Sequence, residues 1–197
     1  MNIFLFLLIS YIAGSVHFAL VILPVISKNN NSLISNRKKY EVISKLYKDS
    51  GILWTLIVIL LELVKAIVIV SMADMLFKPY HLPWVILSYI LGNRFPVFHS
   101  FNGGKGVAVY MALVLYLSPV YALLGCLAWV IAFVFTRQPF ICSFFMTVLL
   151  SFGVVKEAEF YKSAILGVGI IFLLLTVNHF ENIRNYFSSL SFINRDK

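Results

Sequence analysis

At 103–106 the chain reads Gly-Gly-Lys-Gly, with Asn102 before it and Val107-Ala108 after it. Glycines on both sides of a lysine let backbone N–H groups turn toward an anion while the ammonium supplies a point charge. Helix-forming residues follow at once, so the same loop also presents a helix N-terminus. This combination suits the holding of a phosphoryl group. The spacing is not that of a Walker loop, because Gly106 follows Lys105 where that loop has Ser or Thr. A positively charged turn between two membrane helices is the plainer account of the same residues. Upstream, Gly92-Asn93-Arg94 puts a second polar run into the otherwise apolar stretch from Leu91 to Ala108.

The elements that must position this loop are membrane helices. Of the 197 residues 61% are apolar and only 12% charged, about half the charge of a soluble domain. The net charge of +8 reads as the basic bias of cytoplasmic loops rather than as a nucleic-acid surface. Cys126 and Cys142 both lie in apolar runs and have neither metal-ligand nor redox spacing. The N-terminal run resembles a signal peptide ending near Ala13. It lacks a basic start, however, and the apolar run resumes after Ser15, so it reads as a first membrane helix.

A membrane-spanning helix needs about 20 mostly apolar residues. Residues 2–26 supply the first, and a basic loop over about 28–50 follows. Further helices are predicted over about 51–72, a short 83–92, 139–153 and about 163–179. A single helix over 106–136 would reach roughly 46 Å at 1.5 Å per residue, against a bilayer core of about 30 Å. Two short helices turning at Ser118-Pro119 fit instead. The prediction is an all-α integral membrane protein, one multi-pass unit over 1–197. It has about seven crossings, with the N-terminus outside and the C-terminus cytoplasmic. Most Lys and Arg then fall inside, with Lys78, Lys156 and Lys162 outside and Lys65 within a helix.

Ionisable residues inside such helices are costly and need a reason. Glu62 and Lys65 are three apart on one face, where they can pair, and a structural pair facing the bundle interior is expected over a direct part in chemistry. Gly14 and Ser15 offer a close-packing notch and a hydroxyl, with His17, a hydrogen-bonded interior residue, just beyond. Near the C-terminus His179, Asn182 and Arg184 gather on the side of Lys105. They suit general acid–base work and anion binding, and equally a helix C-terminus that complements its dipole. Three polar clusters thus converge on the inner membrane surface. Such a site would take a phosphorylated molecule from water and an acyl chain from between helices.

Residues Leu91 to Ala108 resemble the G-H-x-F-P-V-F-x-x-F-x-G-G-K-G-V-A motif of the bacterial acyl-phosphate:glycerol-3-phosphate acyltransferases of the PlsY type. Gly14 to Phe18 is similar to that family's G-S-x-P-F, Glu62 to Lys65 to its D-x-x-K, and Thr136 to Ser143 to its T-R-y-x-S-L-x-S. His179 to Ile183 is similar to its H-R-x-N-I. The sequence departs from the family where Asn93 replaces a histidine, His17 a proline and Phe180 an arginine. Of the family's glycine-rich second motif, the region 33–44 keeps clearly only Asn36.

The resemblance implies transfer of a fatty acyl group from acyl phosphate to the 1-hydroxyl of sn-glycerol 3-phosphate. The products are lysophosphatidate and phosphate, made in the cell (inner) membrane for phospholipid synthesis. It implies Lys105, His179 and Asn182 as catalytic residues. Gly103, Gly104, Gly106, Ser15, Asn93 and Asn36 are the substrate- and phosphate-binding ones. The donor is already activated, so neither metal nor cofactor is required, and either His179 or a substrate phosphate oxygen takes the proton. Partners are the two substrates, membrane lipids and an enzyme supplying acyl phosphate, with no nucleic acid. Two other readings stay open: a family member that has lost or re-specialised the activity, and a transporter or headgroup-binding membrane protein.

Overall fold

The computed structural model describes residues 2–19, 21–22, 39–99, 101 and 103–177. Among them the chain is helical, with no strand. Helix α1 (Ile3–Ser15) starts on Asn2, whose side chain accepts the Phe4 N–H. It stops well short of the predicted residue 26. Val16 is extended, and helical residues resume at Phe18. Helix α2 (Lys39–Leu76) contains Gly51 at φ 81°, ψ −178°, a conformation open to little besides glycine. The loop expected over 28–50 is therefore helical from Lys39, and the apolar span itself runs Ser50–Leu76. The polar segment is seated on the bundle by Leu46, which is buried against Ala19 and Val58.

A short 3-10 turn at Pro79–His81 leads into α3 (Leu82–Arg94). Helices α4 (Val107–Leu117) and α5 (Pro119–Thr136) replace the single over-long helix, as predicted. Ser118 between them is non-helical at φ −143°, ψ 79°. Pro119 has no N–H to continue the ladder but suits the first position of a new helix. Arg137, left-handed at φ 51°, ends α5. Helices α6 (Pro139–Glu157) and α7 (Lys162–Val177) complete the described chain.

The connections expected on one side of the membrane lie together. Ser118 Oγ donates to Glu157 Oε1 at 3.2 Å, and the rings of Tyr80 and Tyr161 are 5.1 Å apart. The interior is filled by Ile86, Tyr89, Ile90, Tyr110, Leu113, Leu150 and Ile171. The outside carries large apolar side chains such as Leu53, Val134 and Phe135. In α5 only 17% of the most apolar window is buried. An apolar surface of that extent is solvated by lipid tails rather than by water. Helices Ser50–Leu76, Pro119–Thr136 and Pro139–Glu157 are long and apolar enough to cross a bilayer, and α1, α4 and α7 are shorter apolar helices.

Helices α1 and α3 approach backbone to backbone. A methyl on Gly14 would stand 2.2 Å from the Tyr89 carbonyl oxygen, and one on Gly92 2.0 Å from that of Tyr11. Hydroxyls cross the seam in both directions, Ser10 Oγ to Val85 O at 3.0 Å and Ser88 Oγ to Leu7 O at 2.7 Å. Residues 7 and 11 of α1 thus meet 88 and 92 of α3, so the two helices run parallel. The notch expected at Gly14 is present. Its complement, Gly92, lies in the stretch read as a polar run. Small residues serve here because apolar burial alone does not drive helices together in lipid.

Candidate active site

The Gly-Gly-Lys-Gly loop is held by the end of α3. The Gly103 N–H donates to Arg94 O and the Gly104 N–H to Asn93 O, both at 3.1 Å. A methyl on Gly103 would lie 2.0 Å from the Asn93 carbonyl oxygen. The two amides that the sequence suggested for an anion therefore satisfy carbonyls that α3 leaves open at its last turn. Anion-facing capacity moves a few residues on. Gly106, left-handed at φ 86°, caps α4, and the first intrahelical bond runs from Tyr110 N–H to Gly106 O. The N–H groups of Val107, Ala108 and Val109 thus have no acceptor within the helix, and the positive end of its dipole is here.

These residues face a cavity of about 280 Å³. Gly104, Lys105, Gly106 and the first turn of α4 form one wall. Val58, Ile59 and Leu63 of α2, with Ala19, form an apolar wall interrupted by Glu62, and Asn93 and Ser143 complete the lining. Lys105 is half-buried and Asn93 is 1% exposed. Among the described residues Asn93 Nδ2 has no hydrogen-bond partner. Ser143 and Glu62 were not among the expected substrate residues. The signal for Ser143 was the last serine of the Thr136 to Ser143 motif. No spacing argument placed Glu62 on the cavity.

Glu62 and Lys65 explain the early stop of α1. Lys65 Nζ donates to the Val16 carbonyl, Glu62 Oε1 accepts the Phe18 N–H at 3.0 Å, and the two side chains pair at 3.0 Å. One residue caps the carbonyl end of the break and the other its N–H end. Inside a bilayer, backbone groups freed by a broken helix need such partners. The pair forms, as predicted. Buried His17 joins it, with Nδ1 3.8 Å from Glu62 Oε1. Lys65→Met takes the ammonium from the buried carboxylate and the donor from the Val16 carbonyl, and should cost about 3–5 kcal/mol. The double variant with Glu62→Gln should cost less than the sum of the single ones. Denaturant unfolding in micelles measures both.

The other expected site residues divide. Ser15 is buried at the α1–α3 seam, its hydroxyl donating to Tyr11 O at 2.9 Å, and it lies off the cavity wall. Asn36, His179 and Asn182 lie outside the described residues. The last turn of α7 nevertheless reaches the loop, since a methyl on Gly106 would stand 3.0 Å from Leu175 Cδ2. Leu175 and Thr176 also line an apolar groove of about 290 Å³ with Phe140, Phe144 and Ser143.

A helical bundle with a lipid-facing surface defines an integral membrane protein, one with a lysine and a helix N-terminus on a single cavity. The model of the glycerol-3-phosphate acyltransferase family matches residues 4–189, and the chain belongs to that family. A glycerol-3-phosphate acyltransferase of Pseudomonas entomophila is 28% identical over 92% of this chain and 94% of its own. That of Albidiferax ferrireducens is 28% identical over 89% of this chain and 82% of its own. The Pseudomonas fluorescens enzyme reaches 36%, over about half of either chain. Among solved structures, the fold matches PlsY (YgiH), an integral membrane glycerol 3-phosphate acyltransferase, in its glycerol 3-phosphate form. The TM-score is 0.77 at 24% identity, over 95% of this chain and 92% of that one. Its lysophosphatidic acid form matches with a TM-score of 0.76.

Proposed function

We propose that this chain transfers a fatty acyl group from acyl phosphate to the 1-hydroxyl of sn-glycerol 3-phosphate, releasing lysophosphatidate and phosphate. One observation carries the reading. Lys105 and the N-terminus of α4 line one cavity, and the last turn of α7 packs beside Gly106 of the same loop, in a chain of this family. The acyl phosphate is a mixed anhydride, so direct attack by the glycerol hydroxyl suffices once the two are held together. Lys105, with Gly106 and the open amides of α4, neutralises the departing phosphate. Gly103 and Gly104 shape the loop. His179 and Asn182, four and seven residues past Leu175 in the sequence, and Asn36 of the basic segment are assigned to the same reaction by the family resemblance alone. Asn93 and Ser143 contact substrate from the cavity wall.

The bundle runs as seven crossings, with the N-terminus outside and the loop of Lys105 facing the cytoplasm of the inner membrane. Soluble glycerol 3-phosphate arrives there, and so does acyl phosphate from its supplying enzyme. The parallel course of α1 and α3 supports this order, because a first and a third crossing must run the same way. Purified protein in micelles, given acyl phosphate and glycerol 3-phosphate, should form lysophosphatidate and release phosphate one for one. Tight binding of both substrates without turnover would instead identify a family member that has lost the reaction.

A further inference from the structure

We propose that Asn93 is the oxyanion donor of this reaction: its side-chain amide holds the acyl carbonyl oxygen while Lys105 holds the phosphate. The inference rests on the acyltransferase reading and assigns one residue a role distinct from phosphate binding. Asn93 is 1% exposed, lines the cavity, and has at Nδ2 no hydrogen-bond partner among the described residues. A buried donor left unpaired bears its full desolvation penalty. Such a group is retained where a ligand completes it.

The backbone that carries this donor is also fixed in place. The Asn93 carbonyl accepts the Gly104 N–H at 3.1 Å. Its main-chain nitrogen lies 3.1 Å from where a methyl on Gly14 would stand. Helix α1 on one side and the lysine loop on the other therefore prevent the residue from shifting. A donor held before the reaction starts needs no reorganisation when charge develops, and this is what makes such groups effective.

Position and charge then separate the two roles. The cavity has a cationic wall at Lys105 and the start of α4, and a second wall at Val58, Ile59, Leu63 and Ala19, apolar but for Glu62, whose carboxylate pairs with Lys65. An acyl phosphate is divided in the same way, with phosphate at one end, hydrocarbon at the other and the reacting carbonyl between. Asn93 adjoins the loop through Gly104. It adjoins α1 through Gly14, and that segment continues to Ala19 in the apolar wall. A fixed cation matches the phosphate, which is charged throughout. A neutral amide matches the carbonyl oxygen, which becomes negative only in the transition state.

In the step itself the 1-hydroxyl oxygen bonds to the acyl carbon, and the carbonyl π pair moves onto the oxygen facing Asn93 Nδ2. When that pair returns, the bond from the acyl carbon to the phosphate oxygen breaks and phosphate leaves with the bonding electrons. The hydroxyl proton finishes on it as hydrogen phosphate.

Asn93→Leu removes the donor at nearly constant size. It should lower kcat about 10²–10³-fold and leave KM for both substrates within about threefold. The melting temperature in micelles should stay level or rise, because the unpaired buried donor is gone. Asn93→His restores an N–H donor and should recover turnover to at least about tenfold above Asn93→Leu. If Asn93→Leu fails to fold, Asn93→Asp carries the test with an equal or larger loss of kcat expected. Wild-type kcat in these variants overturns the proposal. So does a rise in KM at constant kcat, or a fall in activity that only follows a fall in melting temperature. A wild-type chain that makes no lysophosphatidate overturns the acyltransferase reading and this proposal with it. Every other outcome leaves that reading standing.

Discussion

Lys105→Ala should reduce lysophosphatidate formation by about 10³-fold while the protein stays folded. Opposite unit charges about 4 Å apart, at an effective dielectric constant near 20, attract by about 4 kcal/mol, and each 1.36 kcal/mol is about tenfold in rate. The loop has main-chain anchors that alanine retains. The Gly103 and Gly104 amides bind it to α3, and Gly106 starts α4 through its left-handed backbone. Alanine therefore removes the ammonium and keeps the cavity. Lys105→Arg retains the charge but spreads it over a planar fork, and should fall between alanine and wild type. Phosphate release, lysophosphatidate yield and melting temperature in micelles, measured together, check the result. Wild-type turnover by Lys105→Ala would remove the residue from the mechanism.

Gly92→Ala should destabilise the bundle by about 3 kcal/mol or more, at or beyond the upper end of the overpacking range, and abolish activity as well. The added methyl would meet the Tyr11 carbonyl oxygen at 2.0 Å and the Ser15 nitrogen at 3.1 Å. Carbon and oxygen in favourable contact stay about 3.3 Å apart or more. Both obstacles are backbone, so no rotamer change relieves them and α1 must move off α3. The seam then opens next to Asn93, and the end of α3 that holds the lysine loop moves with it. Gly169→Ala on α7 is the matched control. Nothing lies within 4 Å of the new methyl there, and alanine is the better helix former by about 0.8–1.0 kcal/mol. Unfolding of the two variants side by side in micelles should separate them clearly, with Gly169→Ala at or above wild type.

Some of the architecture follows from local composition. The break at Ser118-Pro119 was legible because length and proline chemistry act within a few residues. The inward pairing of Glu62 with Lys65 was legible because helix periodicity puts residues three apart on one face. What the pair does was not. Its partners, Val16 and Phe18, lie more than 40 residues away along the chain, and no pattern in α1 announces that the helix stops at Ser15. Leu46 shows the same limit, since a polar stretch becomes helical when one leucine finds a buried seat beside Ala19 and Val58.

By itself the amino-acid sequence determined a membrane-embedded helical protein, the positions of most of its helices, and a glycine-lysine loop at a helix start. Those properties reside in side-chain polarity, in periodicity and in the few residues around one turn. Only the tertiary structure decided which groups of that loop face the cavity. The Gly103 and Gly104 amides are taken by carbonyls of α3, which leaves Lys105 and the first turn of α4 to the cavity, with Asn93 as a buried donor beside them. A backbone N–H has one hydrogen to give, and which acceptor receives it depends on what the rest of the chain brings within 3 Å or so.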